Sequence, residues 1–182
     1  IEGESIYSHR SIGVPGSVAG LEHALHNWGS MSLKEVIRPA IRLANKGFPV
    51  SHTLAKMLSV QQEQLGQWPA TREIFFRDGR PLRAGEQLVQ KDLARSLKLI
   101  ARQGGKAFYE GKIGEAIVEE MQRHGGLISM QDLANYRAIE RTPVSGDYRG
   151  FEVVSMPPPS SGGIHLLQIL NILEHFPLHE QG

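Results

Sequence analysis

The chain has 182 residues, 40% of them apolar, enough to bury a core without any special device. Its formal net charge is +1, and no like-charge run or aromatic-interleaved basic stripe makes a case for nucleic acid or an anionic membrane surface. No stretch approaches the roughly 18 apolar residues of a membrane span, and the lack of cysteine removes disulfides, thiolate nucleophiles and thiolate metal sites while permitting an oxidising compartment.

Helical periodicity opens the pattern. Ser17–Trp28 carries Val18, Leu21, Ala24, Leu25 and Trp28 at helical spacing and stops at Gly29. Ser32-Leu33-Lys34-Glu35 spells a capping box, and Val36, Ile37, Ala40, Ile41 and Ala44 continue one apolar face to Gly47. Pro39 inside that helix removes a hydrogen bond and predicts a kink. Ser51 predicts a capped helix over about residues 51–65. The pattern then breaks over residues 67–87, where Phe75-Phe76 and Asp78-Gly79 suggest a short hairpin or irregular excursion.

Periodicity returns at Lys91–Gln103, with Leu93, Leu97, Ile100 and Ala101 expected inward and Gly104-Gly105 as the stop. Lys112–His124 aligns Ile113, Ile117, Val118 and Met121 on one stripe, and Ser129 caps a short helix to about Tyr136. Alternation takes over in Val144–Tyr148 and Phe151–Ser155 around Arg149-Gly150, an expected antiparallel pair. Three prolines, Pro157 to Pro159, must take the chain out of the sheet and run it extended. Ser160 and Ser161 then offer N-cap oxygens, and Gly162-Gly163 permit close backbone approach at a helix start. That last helix, roughly residues 161–175, is expected to bury Ile164, Leu167, Ile169, Leu170 and Leu173. With no internal repeat or low-complexity linker, residues 1–182 read as one compact unit, mostly helical over about 1–136 with a β pair, corner and terminal helix over about 137–182.

Candidate chemistry is sparse. Ser160 and Ser161 invite a nucleophile or oxyanion reading, but a serine nucleophile needs a base within reach, and no Gly-x-Ser-x-Gly elbow is present. His165, one turn into the helix, points along it; a helix cap and tight corner is the better reading. His23 and His26, three apart beside Glu22, share a helix face, yet no third ligand follows at a diagnostic spacing. Glu119-Glu120 with Asp132, or Glu140 with Asp147, are candidate carboxylate pairs that no spacing forces together, and Glu119-Glu120 reads as a solvated helix face. Gly104-Gly105-Lys106 lacks the first glycine and the hydroxyl of a phosphate loop. Met57, Met121 and Met130 fit core or edge packing.

Several blocks in one order carry a resemblance. They are Pro15-Gly16-Ser17-Val18-Ala19-Gly20, Pro39-Ala40-Ile41-Arg42-Leu43-Ala44 with Gly47-Phe48, Leu88-Val89-Gln90-Lys91-Asp92-Leu93-Ala94, Phe108-Tyr109-Glu110-Gly111 and Gly125-Gly126-Leu127-Ile128. Tyr148-Arg149-Gly150-Phe151-Glu152-Val153 and the corner from Met156 to His165 close the series. Together they resemble the middle portion of the large subunit of a γ-glutamyltranspeptidase. The resemblance implies a mainly helical part, with a small antiparallel β element, of the αββα fold of N-terminal nucleophile hydrolases. In that family a precursor cleaves itself and a threonine becomes the first residue of the small subunit, its own amine serving as base. The nucleophile then lies C-terminal to this chain and the substrate-carboxylate arginine N-terminal to it. The serine pair that touches substrate belongs to the small subunit, so Ser160 and Ser161 do not inherit that role.

The implied partners are the rest of the large subunit, the threonine-bearing small subunit and a small γ-glutamyl substrate, without cofactor or metal. No residue of this chain is expected to be catalytic, cofactor-binding or metal-binding. A periplasmic or extracellular location follows from the same resemblance. Cephalosporin acylases and polyglutamate-processing enzymes share the architecture, and a catalytically silent helical module is the non-enzymatic alternative.

Overall fold

The computed structural model describes residues 3–178. A short helix α1 (Glu4–Tyr7) and a 3-10 turn (His9–Ser11) lead to α2 (Ser17–Trp28) and α3 (Leu33–Lys46). The capping box is present at α3. Ser32 Oγ accepts from the Glu35 amide at 3.4 Å, and Glu35 Oε2 accepts from the Ser32 amide at 2.9 Å. The helix continues through Pro39 and ends at Gly47, whose φ of 82° suits only glycine.

Residues 51–65 form two helices. Ser51 Oγ caps α4 (His52–Val60) by accepting from the Leu54 amide at 3.1 Å. The backbone leaves the helical region at Gln61, and α5 (Gln62–Gly66) starts afresh. That break lets Leu65 and Leu58 both reach a core of Val50, Leu58, Leu82 and Leu88. The stretch expected to be irregular contains a helix, α6 (Pro69–Phe75), with Pro69 at its first turn, where a missing amide costs nothing. The hairpin reading holds for the next residues: β2 (Phe76–Arg77) pairs with β3 (Arg80–Pro81). Asp78 and Gly79 between them both have positive φ, 52° and 75°, the conformation that two-residue hairpin turns favour.

A pairing that the pattern did not announce joins β1 (Phe48–Pro49) to β4 (Gln87–Leu88). Next come α7 (Lys91–Gln103), packed along α3, a single turn α8 (Lys106–Tyr109), α9 (Lys112–His124) and α10 (Met130–Asn135). On α7 the buried residues are Ala94 and Ile100, whereas Leu93 is exposed, which corrects the expected stripe. A small side chain at 94 lets the two helices approach. A second core gathers Tyr109, Met121, Ile128 and Leu133 from α8 through α10.

Contacts divide the chain into two compact units between Ala138 and Ile139. In the second, β5 (Val144–Tyr148) pairs with β6 (Phe151–Ser155) in the expected register, Val144 opposite Ser155 and Tyr148 opposite Phe151. Helix α11 (Gly162–Leu173) packs on this hairpin. Leu167, Leu170 and Leu173 are partly covered, while Ile164 and Ile169 are exposed, so the expected buried face is narrower than its apolar content. The fold is mainly helical with small antiparallel sheets, as expected. No helix among the described residues is long and apolar enough to cross a membrane.

Candidate functional site

The corner before α11 brings the serines and glycines together, but as packing. The chain leaves β6 after Ser155, and instead of running extended it turns at Pro158-Pro159, whose peptide bond is cis. Ser160 Oγ accepts from the Gly162 amide at 3.3 Å. Ser161 occupies the N-cap, yet its side chain accepts no capping bond. One hydroxyl, not two, serves the helix start. His165 donates its backbone amide to the Ser161 carbonyl at 2.9 Å, and no hydrogen bond joins its ring to either hydroxyl among the described residues. Gly163 explains the tightness: a Cβ there would overlap the Met156 carbonyl oxygen and lie 2.8 Å from Val144 Cγ2.

The other candidates are equally committed. Glu22, His23 and His26 on α2 line an open cleft of about 460 Å³ with Lys106, Tyr109 and Arg137. Glu22 Oε2 accepts from the Gly105 amide at 2.8 Å. The Gly104-Gly105-Lys106 turn thus grips a carboxylate of its own chain, which occupies the amide a phosphate would need. His23 lies against Asn27 and the edge of Trp28, with ring centroids 6.0 Å apart. Asp132 completes the α10 capping box, and the Ser129 hydroxyl and amide hold its carboxyl below the usual range. Asp147 accepts from the Gly150 amide at 3.1 Å and closes the β5–β6 turn. Glu119 pairs with Arg123. Glu110 lines the same cleft as Glu22, but Glu22 is already engaged by the Gly105 amide.

Glu120 keeps a partly exposed side chain on its helix face but has partners that the sequence did not announce. It is half-buried, with Oε1 3.5 Å from His9 Nε2 and 3.3 Å from His124 Nε2. The two imidazoles stack at 4.7 Å, and Trp68 presents its ring at 5.0 Å to His9 and 5.7 Å to His124. The one-turn spacing of Glu120 and His124 on α9 was a visible signal; nothing local announces that His9 joins them.

A family model described as Gamma-glutamyltranspeptidase matches residues 2–182. The chain belongs to the gamma-glutamyltranspeptidase family. It is 51% identical over 180 residues to the glutathione hydrolase proenzyme of Escherichia coli (strain K12), covering 98% of this chain and 31% of that protein. It is 42% identical over 179 residues to the acylase ACY 1 proenzyme of Pseudomonas sp. (strain SE83), covering 98% and 32%. The crystal structure of Helicobacter pylori gamma-glutamyltranspeptidase superposes with a TM-score of 0.95 at 40% identity, over 100% of this chain and 52% of that one. The chain therefore spans about a third of the length of the curated relatives it matches.

The blocks that signal gamma-glutamyltranspeptidase are packing devices here. Tyr109 is buried, donates to the Pro15 carbonyl at 2.8 Å and accepts from the Ala19 amide at 3.1 Å. Two motifs ninety residues apart are pinned by one hydroxyl. Burial pushes that hydroxyl's pKa up, against the Ala19 bond. A Cβ at Gly16 would overlap the Tyr136 hydroxyl, and one at Gly114 would lie 2.8 Å from the Phe108 carbonyl oxygen.

Proposed function

We propose that this chain is part of the large subunit of an enzyme that attacks the γ-glutamyl amide of glutathione and related compounds. The enzyme forms a γ-glutamyl ester and passes the acyl group to water or to an amino acid or peptide. The nucleophile in this reading is the N-terminal threonine of a small subunit released from the same precursor, activated by its own amine. This segment's role is architectural, and it supplies no catalytic, cofactor-binding or metal residue to that reaction. Both compact units belong to one large-subunit domain, partnered by the rest of that subunit and by the small subunit. The observation that carries the reading is the TM-score of 0.95 to Helicobacter pylori gamma-glutamyltranspeptidase over the whole chain. The engagement of Ser160, Glu22, Asp132 and Asp147 with their own backbone supports a structural role.

A related amidohydrolase of the acylase type is the second reading, favoured by the 42% identity to the acylase ACY 1 proenzyme. A catalytically silent helical module is the third. We place the protein in the periplasm or outside the cell, a reading that rests on the family and that the absence of cysteine permits.

The deciding assay is p-nitroaniline release from γ-glutamyl-p-nitroanilide, by the full-length gene product and by this polypeptide alone. Release by the full-length product only is expected. Release by the isolated chain overturns the architectural reading and makes Ser160 and Ser161 the first residues to substitute. Silence from both, with turnover of an acylated cephalosporin, assigns the acylase chemistry; silence on every amide leaves the module. Fractionation of cells producing the full-length protein checks the location.

A further inference from the structure

We propose that His9, Glu120 and His124 form a site for one divalent transition-metal ion of the zinc class, with water completing its coordination. The three side chains come from two elements, the 3-10 turn at His9–Ser11 and the last turns of α9. Their candidate ligand atoms all lie within 4.8 Å of one another. Zinc binds imidazole nitrogen and carboxylate oxygen at about 2.0–2.2 Å in a tetrahedron, which places neighbouring ligand atoms roughly 3.4 Å apart. The Glu120 oxygen sits 3.5 Å from one imidazole nitrogen and 3.3 Å from the other. Two edges of such a tetrahedron are already drawn, with one atom, Oε1, at their shared corner.

The surroundings fit that occupant. Arg123 Nη1 stands 3.9 Å from the other carboxylate oxygen, Oε2, and leaves Oε1 to the ion. Trp68 stands edge-on to both imidazoles, and the two rings, stacked at 4.7 Å, turn apart as the ion draws both nitrogens toward the Oε1 corner. His9 is the covered ligand, its side chain 12% exposed, whereas Glu120 and His124 at 46% and 43% leave a mouth for water and for metal entry. Two imidazoles and one carboxylate suit Zn²⁺, Ni²⁺ or Cu²⁺ and are too few and too soft for Mg²⁺ or Ca²⁺.

The test is calorimetric titration of the chelator-stripped full-length protein with ZnCl₂, repeated on Glu120→Gln, His124→Asn and the control His26→Ala. Perturbing groups that merely orient a ligand costs about 10–100-fold in affinity, so losing a ligand should cost at least about 100-fold. One equivalent of Zn²⁺ bound by the wild type and by His26→Ala, but not by Glu120→Gln or His124→Asn, is the expected result. Cu²⁺ should quench Trp68 fluorescence in the same two proteins only, a readout independent of heat. No Zn²⁺ uptake by the wild type, or uptake unchanged in both ligand variants, overturns the site and leaves a hydrogen-bonded His–Glu–His cluster. Glu120→Gln is isosteric and His124 exposed, and circular dichroism of each variant verifies that lost binding is not lost folding.

Discussion

Gly162 and Gly163 stand side by side in the sequence, and their surroundings separate them sharply. A methyl at Gly163 meets Val144 in β5 and the carbonyl of Met156, the residue just after β6, whereas one at Gly162 meets only Ser160 Oγ at 3.5 Å. Gly163→Ala should therefore cost about 1–3 kcal/mol of stability, and Gly162→Ala should stay within about 0.5 kcal/mol. Urea melts of the two variants make the comparison; equal losses would refute the close approach. Tyr109→Phe removes the partner of two groups, the Pro15 carbonyl and the Ala19 amide, and should cost about 1–3 kcal/mol in the same assay. A third prediction concerns protons. Glu86 accepts from both Nη nitrogens of Arg80 at 2.9 Å, and that pairing, aided by the Arg83 amide, depresses its pKa from the ordinary 4.5 to about 2. Because the folded value is the lower one, the pair stabilises the fold above pH 4.5 and its contribution is lost as pH falls toward 2. The melting temperatures of wild type and Glu86→Gln should accordingly differ at neutral pH and converge near pH 2.

Helices with local punctuation were legible in the sequence, and contacts that depend on distant residues were not. The bounds of α2, α7 and α9 follow from apolar periodicity and glycine stops, the starts of α3, α4 and α10 from capping serines, and the β5–β6 hairpin from alternation, because each of those signals acts locally. Ser51→Ala tests that local logic: losing the bond to the Leu54 amide should cost about 1 kcal/mol and fray α4. Helical circular dichroism and a melt would show it, and an unchanged melt would mean packing alone sets that start. By contrast α6 was hidden because its seven residues are too few to show a helical period, and its start is marked only by Pro69 in the first turn. The β1–β4 pair was hidden because two-residue strands have no period, and its partners lie some forty residues apart. The same limit applies to the sites. Ser160, His23 and Asp132 were readable as structural because their partners are sequence neighbours. The grouping around Glu120 was not legible because His9 comes from a separate element, while Glu120 itself keeps a partly exposed side chain.

In the second compact unit, α11 and the hairpin bury less than their apolar content would allow. Phe151 is 74% exposed and Ile172 61%, and Val154, Met156, Ile169 and Phe176 are exposed beside them in the sequence order of the same unit. Fully burying a large apolar side chain is worth about 1.5–3 kcal/mol, so leaving this many in water is a standing cost. Monomeric proteins seldom keep such surface open. The chain spans 31% of its Escherichia coli relative, which leaves ample polypeptide in a protein of that length to cover these residues. The isolated 182-residue chain should therefore self-associate in light scattering and bind a hydrophobic dye. Ile169→Lys with Ile172→Glu should shift it toward monomer at unchanged helical content. In the larger protein proposed above the same pair should instead reduce the yield of folded protein, because there the residues would meet protein rather than water. A monomeric, dye-silent wild-type fragment would mean that this surface needs no cover, and the architectural reading of the segment would lose its physical basis.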